Sequence, residues 1–522
     1  MSALLDDILE RVERMPETAR AEITRAVDDT KEIRWVPNPG PQTDAYFSLA
    51  DEIFYGGQAG GGKSALGVGL ALTDHERSLI LRRYTADARA LADYAMTVVG
   101  SRDGYNGQEM RLRVDERLID FGGCKDESDK QRYKGDPHDL IVVDEAGDFL
   151  ESQVVFIIGW NRSTKSGQRC RVVLTGNPPT TPEGMWLVRR YAPWLDPNHP
   201  YPAMPGELRW FTTSSDGVEI EVSGRGPHLI NGEEVIAKSR TFIRSKLSDN
   251  PDLARTDYDA TLAALPAELR AAYREGKFDA GLRDQPFQCI PTEWIRAAMA
   301  RWTPTPPTGV PMCAMAADAS GGGDDPFVLA MRHDGWYAPN VKIPGKDIPM
   351  DRAGKFCGGQ ILSYRRNQAT VVVDMGGGYG GSTYEVLKEN EIDVRAHKGA
   401  EESVQRTADG QLKFANKRSQ IIWRFREALD PSQPNGSPIS LPNDPLLLAD
   451  LAAPTFTAPG HVLTVEPKEK VCKRLGRSTD DGDAVVMCWS AGPTYLSDGR
   501  IWDERRKKRG AFQSQANMRA RG

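Results

Sequence analysis

The stretch Gly56-Gly57-Gln58-Ala59-Gly60-Gly61-Gly62-Lys63-Ser64 constrains the fold of this chain more than any other. From Gly57 to Ser64 it fits G-x-x-x-x-G-K-[ST], the pattern of a phosphate-binding loop. Ile53-Phe54-Tyr55 before it is apolar enough for a buried strand, and Ala65 to Leu72 after it is small and apolar enough for a helix packed on a sheet. In that context the glycines let successive backbone N–H groups turn toward one point, where the helix N-terminus adds its positive end. Lys63 would then reach the outer phosphates of a nucleoside triphosphate, and Ser64 would hold Mg²⁺. Gly57, Gly60, Gly61 and Gly62 are the candidate cradle.

At 522 residues the chain exceeds one hydrophobic core, so two or three domains are expected. No apolar run approaches the ~20 residues that span a bilayer. Asp6, Asp7, Glu10 and Glu13 interrupt the leucines of the N-terminus, which is unlike a signal peptide. The seven cysteines are scattered without a C-x-x-C pair, which favours reduced thiols in a cytoplasm over structural zinc. The seven histidines are equally dispersed, which speaks against a His-based metal centre. A formal net charge of −6 excludes a uniformly basic coat, although local patches can still meet nucleic acid. The clearest patch is Arg505-Arg506-Lys507-Lys508-Arg509, read equally as a solvated tail or a DNA-contacting arm.

Apolar runs alternating with helical patterns predict an α/β fold with a parallel sheet. Residues 1–34 read as an N-terminal helical segment, 35–250 as a nucleotide-hydrolysing domain and 251–311 as a helical segment with a linker. A second α/β domain is expected over 312–495, followed by a basic tail over 496–522. The Pro-rich run from Thr303 to Pro311 marks the linker. Glu219 to Val222, followed by Asn231-Gly232, predicts a hairpin-bearing insertion, and residues 257–274 a helical stretch.

Leu140-Ile141-Val142-Val143 is an apolar strand that delivers Asp144 and Glu145 at its end. Downstream of a phosphate loop, Asp144 would hold Mg²⁺ and Glu145 would polarise the attacking water, which predicts hydrolysis as well as binding. Val173-Leu174-Thr175-Gly176-Asn177-Pro178-Pro179 is a further strand with polar residues at its tip. Thr175 and Asn177 are placed there to hydrogen-bond the γ-phosphate or its water. Upstream, the segment from Trp35 to Gln42 can pack a base, with Gln42 reading an adenine edge.

Taken together, Gly-Gly-x-Ala-Gly-Gly-Gly-Lys-Ser, Val-Asp-Glu-Ala and Thr-Gly-Asn-Pro-Pro resemble the large terminase subunit of tailed bacteriophages, from about Trp35 to Trp489. In that family the three are the Walker A loop, the Walker B strand and the coupling motif, and Gln42 matches its adenine-binding glutamine. The resemblance implies a P-loop NTPase domain followed by an RNase H-like nuclease domain. It also implies an arginine finger, for which Arg132, Arg162 and Arg169 are the candidates, with Arg132 preferred.

A nuclease of that kind binds two divalent ions, Mg²⁺ or Mn²⁺, ~3.5–4 Å apart, and therefore needs several shared carboxylates. Asp318 ends the run Ala314 to Ala317 and Asp374 ends Val371 to Val373, each emerging into a glycine loop where a DNA backbone can approach. The third acid comes from Asp480-Asp481-Gly482-Asp483, where Asp483 fits the family pattern best. Asp324, Asp325 and Asp480 are expected to tune that site, and Glu385 to lie on the surface.

By the resemblance, ATP is the fuel and double-stranded DNA the substrate. The implied partners are a small terminase subunit and the portal protein of the prohead, met as a homo-oligomeric ring in the host cytoplasm with no membrane involved. The alternative is a DNA-binding P-loop ATPase of helicase or repair type with an inactive nuclease-like domain.

Overall fold

The computed structural model describes residues 34–196, 199–214, 219–278, 284–323, 325–376 and 378–491. The expected N-terminal helical segment up to residue 33, the basic tail and Asp324 lie outside them. The chain packs as two compact units: Met1–Pro179 with Arg190–Thr212 and Glu219–Ala280, and Thr180–Arg189 with Thr213–Val218 and Gly281–Gly522. Among the described residues no helix is long and apolar enough to cross a membrane.

The first unit is built on a ten-stranded sheet. Its strands are β1 (Glu52–Gly57), β2 (Arg77–Arg82), β3 (Tyr105–Asn106), β4 (Arg111–Val114), β5 (Arg117–Gly123), β6 (Leu140–Val143), β7 (Arg171–Gly176), β8 (Arg209–Thr213), β9 (Glu219–Val222) and β12 (Lys238–Ser245). The remaining pair, β10 (His228–Ile230) and β11 (Glu233–Val235), forms a separate hairpin around Asn231-Gly232. The order is β3-β4-β5-β2-β6-β7-β1-β12-β8-β9, and the six strands from β5 to β12 run parallel.

Central parallel strands are covered on both faces, so β6 can be Leu-Ile-Val-Val with every residue buried. Alternation then sorts the side chains. Ile53 and Tyr55 face a core shared with Leu66 and Leu70 of α2 (Lys63–Thr73) and Leu91 and Met96 of α3 (Thr85–Val99). Phe54 turns the other way, to Tyr191, Phe242 and Phe278 at ring distances of 5.2–5.6 Å.

The helical stretch expected over 257–274 is broken. Tyr258–Ala263 and Ala267–Tyr273 are two short helices, because Pro266 has no N–H for a continuing ladder, and Pro251–Ala254 is a further short helix before them. Their Leu253, Tyr258, Leu262 and Tyr273 pack with Leu247 against Ala59 of the glycine loop.

The second unit holds a six-stranded sheet of β13 (Ala314–Asp318), β14 (Phe327–His333), β15 (Trp336–Tyr337), β16 (Val341–Ile343), β17 (Thr370–Asp374) and β18 (Val394–His397). β13, β17 and β18 are parallel neighbours, so their C-terminal ends lie on one side of the sheet. Met315, Ala317, Val371 and Val373 pack with Cys357 and Ile361 of α4 (Ala353–Tyr364) and Leu387 of α5 (Gly380–Glu389). The alternate residues Ala314 and Ala316 are small, which lets the buried helix α8 (Asp480–Trp489) approach β13 and β14 closely. Before α8 come α6 (Lys417–Leu429) and α7 (Lys468–Leu475).

Candidate functional site

The loop between β1 and α2 is held from outside by its carbonyls. Lys63 Nζ donates to Gln58 O at 2.5 Å, Asn250 Nδ2 to Gly60 O at 2.8 Å, Tyr55 Oη to Gly61 O at 3.0 Å and Gln42 Nε2 to Gly62 O at 2.8 Å. A trans peptide sets its C=O and the following N–H antiparallel, so pinning the Gly60, Gly61 and Gly62 oxygens outward directs the N–H groups of Gly61, Gly62 and Lys63 toward the opposite side, whereas the N–H after Gln58 is taken by Tyr273 O at 2.8 Å. That is the physical requirement of an anion cradle at a helix N-terminus. Gly62, the residue before α2, sits at φ +75, and a Cβ there would lie 2.7 Å from Gln42 Nε2. Lys63 is buried, and burial pulls its ammonium below the usual lysine range against the charges of Glu145 and Asp144.

Asp144 follows β6 and is buried among hydroxyls. Ser64 Oγ donates to its Oδ2 at 2.9 Å, and Thr175 Oγ1, at the end of β7, donates to its Oδ1. Hydroxyl and carboxylate oxygens are the hard donors that Mg²⁺ takes, so the set fits that ion. Glu145 adopts φ +54, a left-handed conformation that is uncommon for a non-glycine residue and aims it away from the strand's line. Its Oε2 accepts from Asn177 N at 3.4 Å. Burial and the Asp144 charge push the Glu145 carboxyl up, with Lys63 and Arg82 pulling the other way. A raised carboxyl pKa brings a candidate base nearer its working pH. Asn177 Oδ1 is buried without a hydrogen-bond partner among the described residues.

Several of the candidate side chains have partners within the chain. Gln42 does not present a free amide to a purine: Asn38 N donates to its Oε1 at 2.5 Å while its Nε2 holds Gly62, because α1 (Pro41–Phe47) lies directly against the loop. Trp35 is not a base platform either, since its ring fills the space above Gly69 and meets Tyr46 at 6.0 Å. Thr175 is committed to Asp144 and not to a phosphate.

None of the three candidate arginines contacts this centre. Arg132 is exposed and pairs with Asp129 at 2.7 Å, and Arg162 lies over the Trp160 ring. Arg169 donates to Ser48 O and Ala50 O, a backbone anchor. The guanidinium that does reach Asp144 belongs to Arg82, with Nε 2.6 Å from Oδ2.

In the second unit Asp318 and Asp374 end parallel neighbours β13 and β17, and Asp480 and Asp483 lie in the first turn of α8. Carboxylates in a first helical turn are stabilised by the helix dipole. The group that joins them is Lys468, on α7. Its Nζ lies 3.3 Å from Asp318 Oδ2, 2.9 Å from Asp480 Oδ1 and 3.1 Å from Asp483 Oδ2. Asp483 also receives Arg418 Nη1 at 2.8 Å and Thr479 Oγ1 at 2.9 Å.

Asp374 Oδ1 accepts from Gly376 N at 3.0 Å, and its neighbour across the sheet is His397. Close packing explains Gly380, since a Cβ there would fall 1.8 Å from Asp374 O. Burial raises the Asp318 carboxyl to about 7, with Asp480, Asp374 and Asp483 adding to the shift and Lys468 opposing it. Burial also acts upward on Asp483, but Arg418 and Lys468 outweigh it and hold the carboxyl at about 2. The ammonium marks a position where three carboxylates hold a cation, and their oxygens would have to draw closer to ligate a metal, since they do not meet the 4.8 Å mutual spacing of such a set. Asp325 and Glu385 are exposed, and Asp325 is engaged only through its carbonyl, which accepts from Ser320 Oγ.

Among the described residues, the group whose ligand atoms fall within 4.8 Å of one another is Asp120, Asp136 and His138. Its charges are already balanced by the chain: Arg111 Nε pairs with Asp120 and Arg77 Nη2 with Asp136, each at 2.5 Å. We read it as an ion-pair network.

No protein-family model matches the chain, and no curated protein matches it. Solved structures similar to it include the large terminase of the thermophilic bacteriophage D6E, at 13% identity over 87% of this chain and 99% of that one, TM-score 0.34. The same enzyme with ATP-gamma-S matches at 13% identity over 87% of this chain and 100% of that one, TM-score 0.32. The nuclease domain of the large terminase subunit gp2 of bacterial virus Sf6 matches at 19% identity over 40% of this chain and 99% of that one, TM-score 0.30. These neighbours are large terminases.

Sequence reasoning missed Arg82, Lys468, Arg418 and His397. His397 had one available signal, its position at the end of the alternating run Ile392-Asp393-Val394-Arg395-Ala396, a strand pattern. Burial lowers its imidazole against the pull of Asp374 and Asp483.

Proposed function

We propose that the chain is the large subunit of a phage-type terminase, an ATP-driven translocase of double-stranded DNA with a metal-dependent endonuclease. The observation that carries the reading is the pair of separate carboxylate centres. One joins a glycine loop and hydroxyls to Asp144 and Glu145; the other gathers Asp318, Asp480 and Asp483 round one cation.

At the first, the loop N–H groups and Lys63 bind the phosphates of ATP. Glu145 takes the proton of the attacking water, and Asn177 Oδ1 orients that water. Ser64 and Asp144 would hold Mg²⁺, which neutralises charge on the phosphate oxygens when bound. At the second, Asp318, Asp374 and Asp483 would hold two Mg²⁺ or Mn²⁺ ions, which activate water and stabilise the leaving oxygen of a phosphodiester. Asp480 orients Lys468 there. The further elements of the reading are docking on a prohead portal as a ring, DNA selection by a small terminase subunit, and action in the host cytoplasm.

The test is a double dissociation. Glu145→Ala should lower ATP turnover about 10²–10⁴-fold, the usual worth of a general base, and leave Mn²⁺-dependent plasmid cleavage intact. Asp374→Ala should do the reverse. Loss of both activities in either variant would sink the two-centre reading. One observation favours the alternative, a DNA-binding ATPase with an inactive nuclease-like unit: the Lys468 ammonium already neutralises the acids. That alternative predicts no plasmid nicking in Mn²⁺.

A further inference from the structure

Arg82 is a group in the first centre that the proposed chemistry does not use. It is the last residue of β2, which lies beside β6 with Leu81 opposite Val143. Asp144 N donates to Leu81 O at 2.9 Å, so the two strand ends are locked in register. From there the side chain crosses to the neighbouring strand's carboxylate. Nε lies 2.6 Å from Asp144 Oδ2, and Nη2 lies 3.5 Å from Ser64 Oγ. A single planar guanidinium therefore faces both side chains assigned above to Mg²⁺. The adjacent Arg83 points away and is engaged elsewhere, its Nη1 donating to Gln153 Oε1 at 2.6 Å.

We propose that Arg82 is the chain's own occupant of the Mg²⁺ position at the nucleotide site, a tethered cation that the metal must displace when it arrives with nucleotide. The inference rests on reading Gly57 to Ser64 and Asp144 as a nucleotide–Mg²⁺ site. Its physical basis is competition for lone pairs. Asp144 Oδ2 takes Arg82 and Ser64, and Oδ1 takes Thr175 and Ser64. The hydrogen bonds close the ligand set on itself, with the Ser64 hydroxyl donating inward. A metal can bind only after that ring opens.

Mg²⁺ and a guanidinium at contact with the same oxygen also repel each other, so the two occupancies exclude one another. A lysine would serve less well, because its ammonium is more strongly hydrated and lacks the fixed planar fork that presents Nε and Nη2 to Asp144 and Ser64 together. The functional consequence is coupling. Metal alone competes poorly with Arg82, whereas metal delivered with phosphates gains enough contacts to displace it. Nucleotide and Mg²⁺ then load as one event, and Arg82 is a positioning residue for that step.

The test measures metal affinity instead of turnover. Mn²⁺ binding without nucleotide is followed by electron paramagnetic resonance in the full chain carrying Asp318→Ala and Asp374→Ala, which remove Mn²⁺ ligands of the second centre, and binding of a fluorescent ADP analogue is titrated across Mg²⁺ concentrations. Arg82→Ala should bind Mn²⁺ at least about tenfold more tightly and need about tenfold less Mg²⁺ for the ADP analogue. Arg82→Lys should fall between it and the wild type. Unchanged or weaker metal binding in folded Arg82→Ala would overturn the proposal. Should that variant fail to fold, Arg82→Gln, which keeps a donor to Asp144 without the charge, is read by the same criteria. A wild-type chain that binds no ADP analogue at any Mg²⁺ concentration would instead overturn the nucleotide reading beneath it.

Discussion

The two carboxylate centres solve the same electrostatic problem with different charge counts. Around Asp144 most partners are neutral: Ser64 and Thr175 donate hydroxyl protons, and Arg82 supplies one compensating charge. Around Lys468 three carboxylates converge on one ammonium, with Asp374 close enough to raise the Asp318 carboxyl further. The first arrangement is a site that neutral groups hold in shape. The second cannot hold its shape without a cation, and burial makes the imbalance costly. Dependence on an internal cation should therefore be mild in the first unit and severe in the second.

Removing Lys468 tests this most strongly. Lys468→Ala leaves Asp318 and Asp480 without their ammonium while Asp483 keeps Arg418, and breaking such a partly buried pairing costs about 3–5 kcal/mol. The expected result is a lower urea midpoint for the second unit that millimolar Mn²⁺ restores, since a ligand of the folded state stabilises it by mass action. Equal midpoints with and without Mn²⁺ would show that the acids are not a cation site, and the contrast with Asp144 would collapse.

Two buried carboxylates outside the two donor sets extend the comparison to pH, of which Asp450 accepts from Gly482 N, beside Asp483, at 3.1 Å. In the first unit Glu52 is buried, which acts upward, but Arg190, Arg240 and Tyr191 outweigh it and hold the carboxyl at about 2, below its ordinary 4.5. In the second, burial raises Asp450 to about 7 from 3.8, with Asp481 adding to the shift and Arg477, paired at 2.6 Å, only partly opposing it. The depressed Glu52 contributes stability above pH 4.5 that is lost as pH falls through about 2. The raised Asp450 does the opposite, its penalty growing as pH rises from about 4 through about 7.

By linkage each shift is worth about 3–4 kcal/mol at its limit. Asp450→Asn should therefore gain on the wild type between pH 4 and 8. Glu52→Gln should fall behind it between pH 2 and 5. Denaturant midpoints measured across pH check both, and slopes of the same sign would refute the contrast.

What was legible in the sequence follows the range of the interaction. The glycine loop, the Asp144-Glu145 pair and the acids ending β13 and β17 are local patterns, an apolar run closed by polar or glycine residues. Arg82 was not legible, because Leu-Arg-Arg at a strand end reads as a surface terminus. Its meaning depends on β2 lying beside β6, a matter of sheet order. Lys468 sits in the charged helix Lys-Glu-Lys-Val-Cys-Lys-Arg-Leu, where nothing local singles it out, yet it reaches Asp318, 150 residues away. Gln42 was legible as a polar residue near the loop but not as its brace, since the choice between purine edge and Gly62 O turns on how α1 packs. Pro266 was visible, and its break in the helical stretch follows from its missing N–H.

The smallest expected effect concerns Arg132, the arginine the sequence favoured as a finger. Its side chain is 66% exposed and its partner is Asp129, three residues away on the same turn. An exposed pair of this kind contributes less than about 1 kcal/mol. Arg132→Ala should therefore leave the urea midpoint nearly unmoved. In the isolated chain its ATP turnover should stay within about twofold of wild type, a barrier change under about 0.5 kcal/mol, because Arg132 pairs with Asp129 and not with Asp144 or Glu145. A drop of about a thousandfold, within the range an arginine finger supplies, would reverse that assignment. If the drop appeared only at high protein concentration, where neighbouring copies meet, Arg132 would act across a subunit boundary. The first centre would then be incomplete within one chain, whereas the carboxylates around Lys468 are all supplied by one.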